Sequence, residues 1–238
     1  MTRTMPDRSG VVPHAGVDMG QTDDLACVAY CWRLGDILVA DRDKDGIPKQ
    51  SADGSPILVP KPTFAMEYDI FCAGANARLK RAPFVEWVDQ GLLTVTDSEW
   101  TDPEVIYPTI AERVKRHGVA TMAFDPNNTR EMALRVQADY GIEPFMFQQS
   151  ARKYNEPLRE FKRAMVEGRM YIPASALLEW CFRNVIETKS PQGHTMPDKA
   201  KSPDKIDPFV AGLMAYSEAT FAPPKKTSVY DRRGALTF

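Results

Sequence analysis

The 238-residue chain has little cysteine and little histidine, four of the first and three of the second. Four thiols spread over so long a chain make no disulfide scaffold, and a reducing compartment is the simpler expectation. Cys27 and Cys31 stand four apart, on one face of an expected strand. No second pair or adjacent histidine completes a zinc set, so buried thiols are expected at Cys27, Cys31, Cys72 and Cys181. No apolar run approaches the ~20 residues of a membrane helix, so no membrane-spanning part is expected. Residues 1–13 lack the apolar stretch of a secretory signal and read as a flexible lead-in. Neither sign of charge dominates: 30 Lys plus Arg face 32 Asp plus Glu, a net charge of −2. That balance excludes a polycation binding nucleic acid by bulk charge, yet permits a local basic groove beside an acidic centre. The phosphate loop G-x-x-x-x-G-K-[ST] is absent from the sequence. What is present is ordinary for a globular domain, 43% apolar and 26% charged residues, enough for one domain of generous size.

Apolar segments alternate with amphipathic ones. Residues 15–18, 25–34 and 37–40 read as consecutive strands with tight connections. Residues 41–55, rich in Asp, Gly, Pro and Ser, read as a hairpin tip. Asp41, Asp43, Asp45 and Gly46 imitate the start of a calcium loop, but the closing Glu is missing. Residues 63–80 are expected to be helical and to end in the basic cluster Arg78, Lys80, Arg81. Further helices are expected over 83–91, 102–117, 127–140, 155–168, 174–180 and 206–221, with Asp102 and Pro103 supplying a cap and a first-turn proline. Strands are expected over 92–95, 119–124, 142–147, 170–172 and 185–188. Residues 189–204 read as a basic, proline-containing loop and 222–238 as a basic flexible tail. A strand meander leading into βα units is the ribonuclease H-like pattern: an α/β fold with a mixed central sheet flanked by helices, here over 14–221.

Three acids stand out. Asp18 closes the first strand in Gly16-Val17-Asp18-Met19-Gly20. Asp125 closes a later strand in Met122-Ala123-Phe124-Asp125-Pro126. Asp207 opens the last helix in Lys205-Ile206-Asp207-Pro208. Strand ends in open α/β sheets converge on one crevice, and a helix N-terminus favours a carboxylate. Two divalent cations about 4 Å apart would activate water and stabilise a leaving oxygen of a phosphodiester, and hard Mg²⁺ or Mn²⁺ prefers carboxylate oxygen. Each Asp taken alone has a plainer role as a cap or turn residue. Asp23, Asp24 and Asp204 compete with these three; Asp204, three residues before Asp207, is kept as a candidate fourth ligand or outer acid. Phosphate contacts near the acids have candidates in Arg78, Lys80 and Arg81, in Arg152 and Lys153, and in Lys199, Lys201 and Lys205. The last group adjoins Asp207 and is the strongest of them. No reading helix or finger pattern points to base specificity.

At these residues the chain resembles the C-terminal nuclease domain of tailed-bacteriophage terminase large subunits, of the HK97-like group, over roughly residues 14–218. Gly16-Val17-Asp18-Met19-Gly20-Gln21-Thr22-Asp23-Asp24-Leu25 is similar to the first nuclease motif. Pro83, Trp87, Gly91 and Leu93 resemble a P-x-x-x-W-x-x-x-G-x-L segment. Ala123-Phe124-Asp125-Pro126-Asn127 resembles the second acid motif. Asn184-Val185, Pro197-Asp198-Lys199, and Lys205-Ile206-Asp207 with Ala211 and Ala215 resemble the closing segment and third acid. The resemblance implies metal-dependent cleavage of concatemeric viral DNA during genome packaging, with Asp18, Asp125 and Asp207 as metal ligands. It also implies double-stranded DNA, a packaging ATPase domain or subunit, a small terminase subunit and a portal as partners, in the host bacterial cytoplasm. Lacking the phosphate loop, the chain is expected to be an excised nuclease domain or the nuclease half of a split protein. Three other readings stand beside it, one of them a junction-resolving or transposase-type nuclease that would share the acids but cut branched or end-specific DNA. Asp18-x-Gly20-x-Thr22 resembles the first phosphate loop of actin- and sugar-kinase-like ATPases, and a non-catalytic DNA- or portal-binding module would use the acids only as caps.

Overall fold

Strands β1 (His14–Asp18), β2 (Ala26–Ala40) and β3 (Leu58–Ala73) form an antiparallel meander. The computed structural model in which they are seen describes residues 4–20, 23–43 and 46–221. Strand β4 (Thr94–Thr96) lies parallel to β3, β5 (Met122–Phe124) parallel to β1, and β6 (Pro144–Met146) parallel to β5. The order across the sheet is β4-β3-β2-β1-β5-β6, with β7 (Met170–Tyr171) also pairing with β3. A small ribbon, β8 (Glu187–Lys189) and β9 (Thr195–Pro197), stands apart. The expected tail over 222–238 lies outside the described residues.

Helices cover both faces of this mixed sheet, the ribonuclease H-like arrangement expected. On one face Cys27, Ala29, Cys31, Phe64 and Met66 pack against α4 (Ala151–Val166), α5 (Ala176–Arg183) and α6 (Asp207–Phe221). Helix α1 (Ala82–Asp89) adds Phe84 and Trp87 to that layer. On the other, Val17, Val28, Tyr30, Trp32 and Phe124 meet Ile106 and Ile110 of α2 (Pro103–His117) and Met132 and Val136 of α3 (Arg130–Tyr140). All four cysteines are buried free thiols. Asp102 caps α2, its carboxylate accepting the Glu104 N–H at 2.9 Å, as the Asp-Pro signal implies.

Several expectations need correction, among them the loop over 189–204, which contains strand β9. Residues 63–73 of the expected helix 63–80 are strand β3, and only 77–80 coil, as a short 3₁₀ turn. Phe64, Met66, Tyr68, Ile70 and Cys72 belong to one core layer, a period of two that no helix has. Glu67 and Asp69 on the opposite face are held by Arg113 of α2. Residues 37–40 are not a third strand but the continuation of β2 beyond an irregularity between Arg33 and Asp36. β2 and β3 thus form one long hairpin whose tip carries small ladders at Arg42–Pro48 and Gln50–Pro56. At the calcium-like stretch Asp41 pairs with Lys49 at 2.9 Å, and Asp43 accepts the Ile47 N–H at 2.9 Å, so these acids serve the turn; Asp45 lies outside the described residues. Within the expected lead-in, Arg8 is tied to the domain: its guanidinium lies over Trp32, 4.4 Å from the ring centre, and pairs with Glu67.

Candidate active site

β1 and β5 run parallel with Val17 opposite Phe124, so the residues that follow the pair, Asp18 and Asp125, sit side by side at one sheet edge. The Asp125 N–H donates to the Val17 carbonyl at 3.0 Å and extends the ladder by one rung. Helix α6 crosses β1 and β2 on the face that Gly16 leaves open. A Cβ at Gly16 would stand 2.3 Å from the Ala211 carbonyl oxygen, so glycine there lets the helix lie directly on the strand. That close crossing brings Asp207, the first residue of α6, to the same edge. Asp18, Asp125 and Asp207 are all buried.

Lys199 joins two of them. Its ammonium donates to Asp18 Oδ1 at 3.0 Å and Oδ2 at 2.8 Å, and stands 2.9 Å from Asp207 Oδ1. The turn that presents it is built on Asp198, whose Oδ1 accepts the N–H groups of Ala200 and Lys201, each at 3.1 Å. Burial pushes the Asp18 carboxyl up to about 7; the nearby charges of Asp207 and Asp125 push the same way, and Lys199 pulls against them. Burial of the Lys199 tip disfavours its charge, but Asp18 and Asp207 outweigh that and hold the ammonium protonated well above its ordinary range.

Asp125 plays two parts. Its Oδ1 accepts the Asn127 N–H at 3.0 Å and the Asn127 side-chain amide at 3.2 Å, the turn role that Asp before Pro implies. Its charge is nonetheless felt at Asp18. Tyr154 of α4 is buried, and its hydroxyl has no hydrogen-bond partner among the described residues. Burial raises its phenol pKa, and Asp18 and Asp125 add to that rise.

The other sequence candidates separate into paired and exposed groups. Asp204 is not on α6: it lies in the preceding loop, accepts Arg78 Nε at 3.1 Å and caps the Lys205 N–H at 3.0 Å. Arg78 also donates to the Asp23 carbonyl at 3.0 Å. Lys205 pairs with Asp24, and Lys201 with Asp198 at 3.0 Å and Thr188 at 2.9 Å. Arg78, Lys199, Asp204, Lys205 and Asp207 line a cavity of about 130 Å³. Lys80, Arg81 and Arg152 are exposed, while Lys153 lies 4.6 Å from the Phe145 ring centre. The parts that sequence reasoning missed are Lys199 as a counter-ion and the buried Tyr154 hydroxyl. Lys199 was legible only as a cation near Asp207.

The donor set is all carboxylate oxygen, suited to a hard divalent cation. Among the described residues, no three His, Cys, Asp or Glu side chains already form a ready-made ion site. The Lys199 ammonium instead stands between Asp18 and Asp207, a cation where the two carboxylates require one. Three carboxyl groups thus share a single ammonium at a buried edge.

A family model described as "Terminase large subunit, endonuclease domain" matches residues 67–222, a span that includes Asp125 and Asp207 and begins after β1. The chain is 28% identical over 162 residues to Protein YmfN of Escherichia coli (strain K12), covering 66% of this chain and 35% of that protein. It is 28% identical over 147 residues to the terminase large subunit of Enterobacteria phage HK97, covering 60% of this chain and 29% of that protein. The chain thus spans about a third of the length of the curated relatives it matches. The crystal structure of the HK97 bacteriophage large terminase superposes with a TM-score of 0.71 and 22% identity, over 92% of this chain and 41% of that one; this likeness is one of fold.

Proposed function

The chain belongs to the family of terminase large-subunit endonuclease domains, and from that premise we propose that it is a metal-dependent endodeoxyribonuclease cutting concatemeric viral DNA during genome packaging. The observation that carries the proposal is the burial of Asp18, Asp125 and Asp207 at one sheet edge with a single ammonium between them. Buried carboxylates that outnumber their counter-ions are destabilising unless a cation joins them. Asp18, Asp125 and Asp207 would hold two Mg²⁺ or Mn²⁺ ions. Such ions, when bound, supply Lewis acidity toward a phosphodiester oxygen and lower the pKa of a water. No histidine is required as base or acid, and none of the three stands among the acids just described. Lys80, Arg81 and Arg152 offer exposed cations for duplex phosphates, and Arg78, Lys199, Lys201 and Lys205 ring the cavity or the loop beside it.

As the nuclease part of a larger packaging machine, the domain would work with an ATPase domain or subunit, a small terminase subunit and a portal, in the host bacterial cytoplasm. Among the described residues no helix is long and apolar enough to cross a membrane. The kinase-like alternative, drawn from Asp18-x-Gly20-x-Thr22, is superseded by the family match.

The test is nicking of supercoiled plasmid with Mg²⁺, Mn²⁺ or EDTA, with Asp125→Ala alongside. The expected result is metal-dependent nicking that the variant loses by at least about 10²-fold. A folded protein that neither nicks DNA nor gains thermal stability from either metal would return the acids to the turn and ion-pair roles that Asn127 and Lys199 already give them.

A further inference from the structure

The Lys199 ammonium makes three contacts of 3.0 Å or less, to both oxygens of Asp18 and one of Asp207. A divalent cation bound to those oxygens at about 2.0–2.6 Å would fall in contact with the ammonium. Two cations cannot share that space, so metal and lysine are alternatives. The two ends of this ion pair differ in character. Asp18 and Asp207 are fixed by a central strand and a buried helix, with side chains only 1% and 2% exposed. The Lys199 side chain is 41% exposed and comes from a turn, reaching in from solvent. Its tip can therefore leave by rotation of its own side-chain bonds, while the carboxylates stay where they are.

We propose that Lys199 is a resident counter-cation of the metal-free domain: it holds Asp18 and Asp207 together until a divalent cation displaces its ammonium to the mouth of the site. There it becomes a positive charge beside Arg78 and Lys205, positioned for an arriving DNA phosphate. The inference rests on the metal reading of the acids given above. Its consequence is that the site is held together before metal arrives, at the expense of some metal affinity. Lys199 is a positioning residue, since it acts through the two carboxylates.

The experiment is calorimetric titration of Mn²⁺ into the wild-type protein and Lys199→Met at low salt, with thermal midpoints recorded with and without metal. Lys199→Met is expected to bind Mn²⁺ at least about tenfold more tightly, because no ammonium competes. It should also melt lower without metal and recover to near wild type with it. The metal-free midpoint loss should shrink in an Asp18→Asn background, where one carboxylate needs no counter-ion. A footprint of the wild-type protein needs no variant to fold: acylation of Lys199, read by mass spectrometry, should speed up several-fold on adding Mn²⁺, with the other lysines unchanged. Unchanged or weaker Mn²⁺ binding by Lys199→Met, or a Lys199 footprint indifferent to metal, would overturn the displacement while leaving the metal site standing. Absence of Mn²⁺ binding in both proteins would instead overturn the metal reading itself, and the displacement with it, the midpoint coupling then marking a purely structural ion pair.

Discussion

Substituting Gly16 by alanine puts one methyl group where α6 crosses β1. Its carbon would stand 2.3 Å from the Ala211 carbonyl oxygen, 2.7 Å from the Ala215 nitrogen and 2.9 Å from the Met214 Cβ. None of these atoms can swing aside, because all belong to the helix backbone or its first side-chain carbon. Real Cβ contacts essentially never fall under 3.0 Å, so the helix must back off by at least about 0.7 Å, or the strand must buckle. Overpacking a well-filled core costs about 1–3 kcal/mol. In a chain of this size each kcal/mol lowers Tm by about 2–4 °C, so a fall of roughly 2–12 °C is expected in scanning calorimetry. The same withdrawal carries Asp207 away from Asp18, and plasmid nicking measured well below both midpoints should drop by about tenfold or more. Gly35→Ala is the control, since a Cβ there meets nothing within 4 Å; its midpoint should stay within about 1 °C. A Gly16→Ala midpoint equal to wild type would refute the contact. A lowered midpoint with undiminished nicking would refute the idea that the seat of α6 sets the site.

Arg113→Ala removes paired hydrogen bonds to Asp69, at 3.0 and 2.6 Å, and one to Glu67 at 2.6 Å. It leaves two mostly buried carboxylates short of a partner, and urea denaturation should show a loss of about 2–4 kcal/mol with nicking by the folded protein intact. Arg113→Lys should recover only part of the loss, because one ammonium cannot reproduce the fork on Asp69. Glu218, buried near the far end of α6, has its carboxyl pushed above the ordinary range by burial, against a hydrogen bond with Thr121. A raised folded-state pKa favours the protonated form, so its contribution is fully present below the unfolded pKa and is lost as pH rises through the folded one. Glu218→Gln should therefore raise the midpoint at pH 8, with the gain fading by about pH 4. An equal shift at both pH values would assign the effect to packing instead.

Where burial and local chemistry agree, the chain could be read directly. The apolar run that ends at Asp125, the Asp102-Pro103 helix start and the apolar stretch after Asp207 all fall where expected, because each signal lies within a few residues. β3 misled for an identifiable reason. Glu67 and Asp69 interrupt its second face, and the segment runs on into a basic cluster, so its period of two is masked in the sequence; in the fold Arg113 holds both acids. The placement of Asp18 and Asp125 at neighbouring strand ends follows from the parallel pairing of β1 with β5. The Lys199 contacts do not follow from any local pattern, since Lys199 meets Asp18 across 181 residues. Asp204 shows the opposite failure: its spacing from Asp207 implied a shared helix face, but α6 begins only at Asp207, and Arg78 takes the carboxylate.

Helix α6 is buried without a break from Asp207 to Ala219. Most helices keep a watered stripe on which sequence drifts freely. This one has none, so the usual third-or-fourth-residue rhythm of tolerance should vanish. A saturation scan would show a solid intolerant block across α6, against a striped pattern along α4, whose surface keeps Arg152, Arg159 and Lys162 in solvent. Change in this domain is thereby channelled away from its central rod and into the long hairpin, the outer helices and the loop that bears Lys199.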